Sequence, residues 1–343
     1  MSPYPAMMML ASLMLGTTLV LTSNHWLMVW MGLEINTLAI LPLLIHHHHP
    51  RAAEATMKYF LTQAAAATLI LFAALMNAWQ SGQWSLTTLS NTPSNLISIA
   101  LMMKLGLAPM HFWLPEVLQG VSLTTGLILS TWQKIAPMSI MMMAHTTLSH
   151  YILMAAGLAS IIVGGWSGIN QTQLRKVMAY SSIAHMGWTM LILPLMPELA
   201  LLNFMIYLTL TTPLFLIMKL INTTNIMTMT TSWMKSPTIT ALAMLTLLSL
   251  GGLPPTSGFT PKWLILHELT KQNLAIIATM AAISALLSLF FYLRLCYTFT
   301  LTQSPNNTNS TTTWRHKSQN TPILLPITMI MALMLLPMTP TLI

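Results

Sequence analysis

Four ionisable side chains lie near the centres of long apolar stretches, where they could carry protons: Glu34, Lys104, Lys134 and Lys262. A charged residue at the centre of a membrane-spanning helix costs about 2.5–3.5 kcal/mol to insert, so four cost on the order of 10–14 kcal/mol. Side chains held inside a membrane at such a cost mark ion or proton pathways. Snorkelling or a packing salt bridge is the alternative, and it suits Arg294, near the end of its stretch, better than the three lysines.

Lysine suits proton transfer because its charge state responds to its surroundings. Burial in an apolar medium favours the neutral amine, and a neighbouring carboxylate favours the ammonium form. We therefore expect the charge on Lys104 to depend on its distance from Glu34, and Lys104 to pass its proton towards Lys134. No carboxylate occurs at a comparable depth for Lys134 or Lys262.

Two histidines, His111 and His185, are further candidates for a proton relay. His111 follows a stretch interrupted by glycine and proline, and His185 lies in the middle of an apolar stretch. Imidazole suits such a relay because it changes its charge near neutral pH. A buried histidine that is hydrogen-bonded for structural reasons is the alternative for each, and the sequence leaves both open.

The composition indicates that membrane-spanning helices position these residues. Hydrophobic residues make up 55% of the 343 and charged residues only 5%, and the mean hydropathy is +0.70. A soluble domain carries roughly a quarter of its residues as charged side chains. The thirteen Lys and Arg are scattered and form no patch for nucleic acid. The single cysteine, Cys296, excludes an intrachain disulfide and an iron–sulfur site built on several thiolates of this chain.

A helix needs about 20 apolar residues to cross a bilayer. Eleven stretches of the sequence are candidates by this criterion. They cover residues 4–22, 25–45, 55–77, 95–113, 123–144, 150–169, 174–194, 197–221, 238–268, 273–300 and 322–342. This arrangement places eight Lys and Arg on or near the N-terminal face and only Lys271 on the other. Basic loops stay on the cytoplasmic side of a membrane, or on the matrix side in mitochondria. The N-terminus is therefore predicted to be inside and the C-terminus on the opposite face.

Two of the spans carry matching interruptions by glycine and proline. A shift of 146 residues aligns four identical pairs: Gly106 with Gly252, Leu107 with Leu253, Pro109 with Pro255, and Pro115 with Pro261. Each interruption falls in the fourth span of a set of five, and an odd number of spans reverses the entry side. Inverted repeats with a broken helix at matching positions indicate a transport pathway. A pair of ordinary kinks is the alternative.

The predicted fold is therefore an all-α polytopic membrane protein with eleven transmembrane helices. Residues 1–146 form a first five-helix repeat and residues 147–300 a second, inverted one, each with a broken fourth helix. An inside loop and a C-terminal transmembrane helix follow over residues 301–343.

Six motifs distributed along the chain resemble the chain 2 family of antiporter-like subunits in the proton-pumping NADH:ubiquinone oxidoreductase, respiratory complex I. They are HWLMVWMGLEINTLAILPL, EATMKYFLTQA, MKLGLAPMHFWLPEVLQG, STWQKIAP, RKVMAYSSIAHMGW and SLGGLPPTSGFTPKW. The family is also similar to subunits of multi-resistance cation/proton antiporters. The resemblance implies two inverted five-helix repeats and a proton path that includes Glu34, Lys104, Lys134 and Lys262.

The same resemblance implies how the chain takes part in the enzyme. NADH, FMN, iron–sulfur clusters and ubiquinone would belong to other subunits, and this chain would hold no cofactor and no metal. Its implied partners are chain 4, chain 4L, the lateral helix of chain 5, accessory subunits and lipids including cardiolipin, in the mitochondrial inner membrane. No nucleic acid is expected.

Two other functions remain as alternatives. A cation/proton antiporter would need Asp or Asn ligands for sodium near the breaks, and the chain has no Asp. A structural subunit without conduction has no use for lysines in the middle of the membrane.

Overall fold

The computed structural model describes residues 3–45, 49–234, 236–301 and 323–339, and these residues are helical apart from short connections. The only strand-like pairing within these ranges is two isolated bridges, His25 with Ser85 and Gln173 with Asn225. The chain divides into two compact units, Met1–Ser160 with Met190–Pro197, and Ile161–Thr189 with Glu198–Ile343. We call them the first and the second unit.

The helices are numbered in chain order. Those of the first unit are α1 (Pro3–Thr22), α2 (Trp26–Leu44), α3 (Pro50–Ser81), α4 (Asn91–Leu105), α5 (Trp113–Gly120), α6 (Leu123–Ser130) and α7 (Trp132–Met143). Helix α8 (His150–Gly168) contributes residues to both units. The following helices are α9 (Leu174–Ile192), α10 (Pro197–Ile221), α11 (Ile226–Thr230), α12 (Pro237–Gly251), α13 (Phe259–Lys271), α14 (Ala275–Leu301) and α15 (Leu324–Met334), with 3-10 turns at Thr231–Met234 and Leu336–Met338.

Six of the described helices are long and apolar enough to cross a membrane: α1, α2, α3, α8, α10 and α14. Their many serine and threonine side chains remain compatible with an apolar environment because each hydroxyl can donate to a carbonyl one turn earlier. The Ser160 hydroxyl donates to the Gly157 carbonyl at 2.7 Å, and the Thr246 hydroxyl of the shorter α12 donates to Ala243 at 2.9 Å. Thr-rich runs therefore form helices here without leaving buried donors unpaired.

Small residues let neighbouring helices approach closely. In the first unit, a Cβ added at Gly32 of α2 would lie 3.0 Å from the Gly16 carbonyl oxygen of α1. In the second unit, a Cβ added at Gly164 of α8 would lie 2.8 Å from the Ala184 nitrogen of α9. Helices in lipid gain little from hydrophobic association, so close van der Waals contact of this kind holds them together.

The two predicted interruptions are confirmed, and they share one backbone geometry. Helix α4 ends at Gly106 (φ 74°) and α12 ends at Gly252 (φ 82°), both left-handed. The Gly106 N–H donates to Met103 O at 3.2 Å and the Leu107 N–H to Met102 O at 3.0 Å. Gly252 and the following residue repeat this pattern. Both ends are Schellman motifs, which explains the aligned Gly-Leu pairs of the sequence.

The two halves differ at the helix after the interruption. The fifth predicted span, 123–144, divides at Thr131 (φ −113°, ψ −70°) into α6 and α7, which the sequence analysis missed. The Thr131 hydroxyl donates at 2.7 Å to Leu127 O, which also accepts from the Thr131 N–H at 3.0 Å. The tenth predicted span, 273–300, is the unbroken helix α14.

The last predicted span, 322–342, is shorter than expected in the described residues. Helix α15 covers only 11 residues and passes into a 3-10 turn at Leu336–Met338. Pro337 lies in that turn and lacks the N–H that would continue an α-helix. Most of the predicted inside loop, residues 302–322, lies outside the described part of the chain.

We predict that Gly106→Ala destabilises the protein more than Gly82→Ala. Both glycines have left-handed backbone angles, φ 74° and φ 71°, where a Cβ costs about 1–2 kcal/mol. At Gly82 a Cβ would meet nothing within 4 Å, whereas at Gly106 it would lie 2.8 Å from Leu114 Cδ1 and 3.3 Å from Trp113. Retention of each variant chain in its assembled complex over a heating series measures the difference. Equal losses would contradict tight packing at the first interruption.

Candidate proton-transfer sites

A small cavity in the first unit brings two of the predicted lysines together. Its volume is about 20 Å³, and helices α2, α3, α4 and α7 supply its polar lining: Asn36, Thr37, Tyr59, Gln63, Lys104, Gln133 and Lys134. A cavity of this size holds about one water molecule. Lys104 and Lys134 therefore line one small cavity together with uncharged polar side chains.

Lys104 is the most unusual of the lining residues. It lies in the last turn of α4, its side chain is 6% exposed, and its buried Nζ has no hydrogen-bond partner in the protein. The negative end of the α4 dipole favours a cation at this position. Without further contacts, a buried ammonium group is strongly disfavoured. The surroundings can therefore change the protonation state of Lys104 easily.

Glu34 acts on Lys104 through its field rather than by direct contact. The Glu34 carboxylate interacts electrostatically with Lys104, yet no ion pair within 4.0 Å joins these two described residues. One carboxylate oxygen of Glu34, Oε2, is also buried without a hydrogen-bond partner. The cavity lining includes Leu33, Asn36 and Thr37 of the same helix but not Glu34 itself. The predicted pair of Glu34 and Lys104 therefore does not form a direct ion pair in this structure.

Lys134 enters the cavity just after the unpredicted break at Thr131. Its side chain is 3% exposed, and its backbone N–H donates to Thr131 O at 3.3 Å. Pro137, one turn later, lacks the N–H that would otherwise bind the Gln133 carbonyl. The Gln133 side chain donates to Asn36 O at 3.2 Å and ties α7 to α2. This bond fixes the start of α7, and with it Lys134, against α2.

The interruption at Gly106 is closed by an aromatic side chain. A helix that ends inside an apolar region leaves carbonyl groups without partners. The Trp113 indole N–H donates to Met103 O at 3.1 Å, and Tyr59 packs edge-on against the Trp113 ring with centroids 5.7 Å apart. Both rings line the lysine cavity. Trp113 therefore both caps the end of α4 and forms part of the cavity wall.

Lys262 closes the interruption of the second unit. It lies in the first turn of α13, and its Nζ donates to Gly251 O at 2.8 Å and to Leu250 O at 3.3 Å. These are the last carbonyls of α12, where the helix dipole is negative and favours a cation. A Cβ at Gly252 would lie 2.9 Å from the Lys262 Cδ and Nζ, so glycine is required for this approach.

Equivalent positions of the two interruptions carry different chemistry. The 146-residue shift aligns Lys262 with Glu116 and Trp113 with Phe259. Glu116 is half-exposed and pairs with Lys58 at 2.6 Å. The first unit thus closes its broken helix with an indole and keeps Lys104 uncapped, whereas the second unit uses the lysine itself as the cap.

His111 stabilises the connection in which it lies. Its ring is 6% exposed, its Nδ1 lies 3.2 Å from Pro109 O, and it packs on Phe112 with centroids 4.3 Å apart. His185 is equally buried in α9, with its ring centroid 5.7 Å from that of Tyr207. The Asn203 amide donates to the backbone carbonyl of His185 at 3.4 Å. The ring contacts of His111 fit its structural alternative, and a relay role stays a prediction for both histidines.

Several polar residues of the first site escaped the sequence analysis: Asn36, Tyr59, Gln63 and Gln133. Each is uncharged, so none carries the insertion cost that made the lysines conspicuous. The available signal was an amide in an apolar stretch: Asn36 in α2, Gln63 in α3 and Gln133 in α7. No group of three or more His, Cys, Asp or Glu that could hold a metal ion occurs among the residues that the structure describes.

Comparisons with known proteins give the same family along the whole chain. Residues 23–288 match the family described as NADH:quinone oxidoreductase/Mrp antiporter, TM, and residues 289–343 match the family described as NADH dehydrogenase subunit 2 C-terminus. The chain is 57% identical over 341 residues to NADH-ubiquinone oxidoreductase chain 2 of Xenopus laevis, covering 99% of both chains. The Squalus acanthias protein of the same name is 56% identical over 342 residues, with 99% of this chain and 98% of that one covered.

Solved structures establish the fold. A chain of respiratory complex I from Thermus thermophilus superposes with a TM-score of 0.85 at 23% identity, covering 98% of this chain and 78% of that one. A chain of the Mrp complex from Dietzia sp. DQ12-45-1b superposes with a TM-score of 0.77 at 16% identity, covering 88% of this chain and 62% of that one. The fold is therefore the all-helical, antiporter-like membrane fold.

We predict that Trp113→Phe destabilises the first unit by about 0.5–1.5 kcal/mol, the usual net contribution of one hydrogen bond. The ring is kept, but Met103 O loses the indole donor that closes the broken helix. Trp79→Phe is the matched control, because Trp79 is 92% exposed. Heating series of the two assembled variants provide the comparison. An unchanged Trp113→Phe complex would mean that the indole bond does not support the interruption.

Proposed function

The chain belongs to the NADH-ubiquinone oxidoreductase chain 2 family, and from this premise we propose that its buried lysines pass protons through the membrane. It is a multi-pass membrane subunit of respiratory complex I and takes part in the activity of that enzyme, NADH:ubiquinone oxidoreductase. The full-length match to chain 2 proteins favours this function over a cation/proton antiporter, although the fold is common to both.

One observation carries the proposal: the Lys104 ammonium nitrogen is buried without a protein partner, in a cavity shared with Lys134. A purely structural lysine would be expected to end on carbonyls or a carboxylate, since an uncompensated buried charge costs several kcal/mol. Lys104 instead interacts electrostatically with the Glu34 carboxylate without direct contact. A change in that distance alters the balance between its charged and neutral forms.

The proposed sequence in the first unit runs from Glu34 through Lys104 to Lys134. When the Glu34 field is strong, Lys104 holds its proton; when the field weakens, Lys104 releases it into the cavity, where Lys134 accepts it. Moving one proton against about 100 mV takes about 2.3 kcal/mol. A change of about two pKa units supplies about 2.7 kcal/mol. One carboxylate that moves by a few ångströms is therefore a sufficient switch.

Lys262 is the proposed proton-carrying group of the second unit. While charged, it is held by the two carbonyls at the end of α12. Release of its proton would remove the charge that the helix end stabilises, so a neutral Lys262 is free to swing away. His111 and His185 remain candidate relay groups beside these lysines.

The proposed topology is eleven transmembrane helices arranged as two inverted five-helix repeats, 1–146 and 147–300, and a C-terminal helix. The matched Schellman ends at Gly106 and Gly252 support it, because equal backbone motifs recur at equal places in the repeats. The basic residues then put the N-terminus in the matrix and the C-terminus in the intermembrane space of mitochondria.

Energy for transport must then come from the rest of the complex. We assign NADH, FMN, the iron–sulfur clusters and ubiquinone to other subunits and no cofactor to this chain. The proposed contacts in the inner membrane are chain 4, chain 4L, the lateral helix of chain 5, accessory subunits, and lipids including cardiolipin. Polar residues of the neighbouring membrane subunits would move the charge near Glu34.

The test of the proposal is Lys104→Met in the assembled complex, reconstituted in vesicles, with NADH oxidation and proton uptake followed together. Methionine keeps the length of the side chain but cannot hold a proton, so proton uptake per NADH should fall. Loss of a positioned acid–base group slows proton transfer by about 10²-fold or more. Lys219→Met, at the exposed end of α10, is the control and should pump normally. Full pumping by an assembled Lys104→Met complex would refute the proposed pathway.

A further inference from the structure

We propose that the side-chain amide of Asn36 holds the water molecule through which Lys104 and Lys134 exchange a proton. Asn36 would then be a positioning residue of the first site, a role that rests on the proton-transfer function proposed above. Among the polar groups that line the cavity without a protein partner, the Asn36 amide is the most deeply buried.

Asn36 is 2% exposed, and neither its Oδ1 nor its Nδ2 has a hydrogen-bond partner in the protein. Burial of an unpaired donor and an unpaired acceptor in one side chain destabilises a fold. A leucine has nearly the same shape and would carry no such cost. The amide therefore needs a partner from outside the chain, small enough to enter the cavity that Asn36 lines.

The cavity beside Asn36 fits one water molecule and little else. Its volume of about 20 Å³ exceeds the roughly 10–15 Å³ that a single water requires. A buried water needs two to four polar partners. Asn36 supplies a donor, its Nδ2, and the lysines on α4 and α7 supply the two groups between which the proton must move.

The surrounding helices hold the Asn36 amide in one place. The Asn36 Oδ1 lies against Gly16 of α1, where an added Cβ would overlap it. The Gln133 side chain donates to the backbone carbonyl of Asn36 at 3.2 Å and joins α2 to the helix that carries Lys134. With Oδ1 packed against α1, the unpaired Nδ2 is the group of the amide that we assign to the cavity.

An amide suits this position because it orients water without competing for the proton. Its Nδ2 donates to the water oxygen, and the amide neither gains nor loses a proton in doing so. In the transfer, one N–H bond of the Lys104 ammonium breaks as an O–H bond forms on the water. A different O–H bond of that water breaks as an N–H bond forms on neutral Lys134. The water is regenerated, and the charge has moved from one lysine to the other.

Asn77 offers a matched comparison within the same unit. It is also fully buried, but its Nδ2 donates to Gln83 O at 3.2 Å and to Thr88 O at 2.9 Å, and its Oδ1 accepts from the Ser90 N–H at 3.2 Å. The protein itself satisfies this amide, which connects α3 to the loop before α4. Asn77 is a structural asparagine, whereas Asn36 lacks every one of these bonds.

The experiment compares Asn36→Leu with Asn77→Leu in the assembled complex, measuring heat stability and proton uptake per NADH oxidised. For Asn36→Leu we expect stability equal to or above that of the unaltered complex and a proton transfer rate about 10²-fold lower, the usual effect of misplacing a reacting group by about 1 Å. For Asn77→Leu we expect the reverse, a loss of stability with normal proton uptake per NADH in the complexes that remain. Asn36→Ser, which keeps a hydroxyl and leaves room for a further water, should restore part of the lost transfer.

Three results would overturn the proposal. Normal pumping by Asn36→Leu would show that the amide does not position the water, and failure of that variant to assemble would show that the amide is structural. Transfer by Asn36→Ser no better than by Asn36→Leu would exclude hydrogen bonding as the reason. If Lys104→Met abolishes transfer while Asn36→Leu does not, only the role of Asn36 is lost; if Lys104→Met pumps normally, the proton pathway itself is wrong.

Discussion

The burial of lysine nitrogen in an apolar helical interior is the constraint on which the rest of the structure depends. An ammonium group there needs carbonyls, a carboxylate or water, and its neutral form needs much less. Lys262 meets this need with the last two carbonyls of α12. Lys104 has no protein ligand at all and only the field of Glu34. The two lysines therefore have different reasons to hold or release a proton.

The interrupted helices create the two different environments of Lys104 and Lys262. A continuous helix satisfies its own carbonyls and offers a cation nothing inside a membrane. By ending α4 and α12 at glycines with left-handed backbone angles, the chain exposes carbonyls within the apolar region. In the first unit the Trp113 indole is a second donor to Met103 O, which also accepts from the Gly106 N–H, and in the second unit Lys262 donates to two carbonyls. The same Schellman motif is thus capped by a tryptophan in the first unit and by a lysine in the second.

The sequence predicts most of the helical architecture because hydropathy and helix-breaking residues are local properties. Gly106 and Gly252 stand out within apolar runs, and the structure ends both helices there. Thr131, where the fifth predicted span breaks, is neither glycine nor proline, so composition alone could not reveal this break. The shortness of α15 was likewise missed because apolar length was counted without the proline at 337.

The site was only partly predictable, for a similar reason. Lysines stand out because charge is costly in lipid, but the cavity they share depends on how α2, α3, α4 and α7 pack. Asn36 becomes notable only once both of its polar atoms are known to be unpaired. Its environment is set by Gly16 and Gln133, which lie 20 and 97 residues away in sequence. Hydrogen-bond satisfaction is a tertiary property that no local pattern encodes.

Water-mediated proton exchange between the buried lysines is tested most directly by an experimental density map of the assembled complex at a resolution that shows ordered water. We expect a water molecule within hydrogen-bonding distance of both the Lys104 Nζ and the Asn36 amide, with Lys134 within reach of the same water or of a second one. A dry site, in which Lys104 and Lys134 contact only apolar side chains and Asn36 stays unpaired, would contradict it.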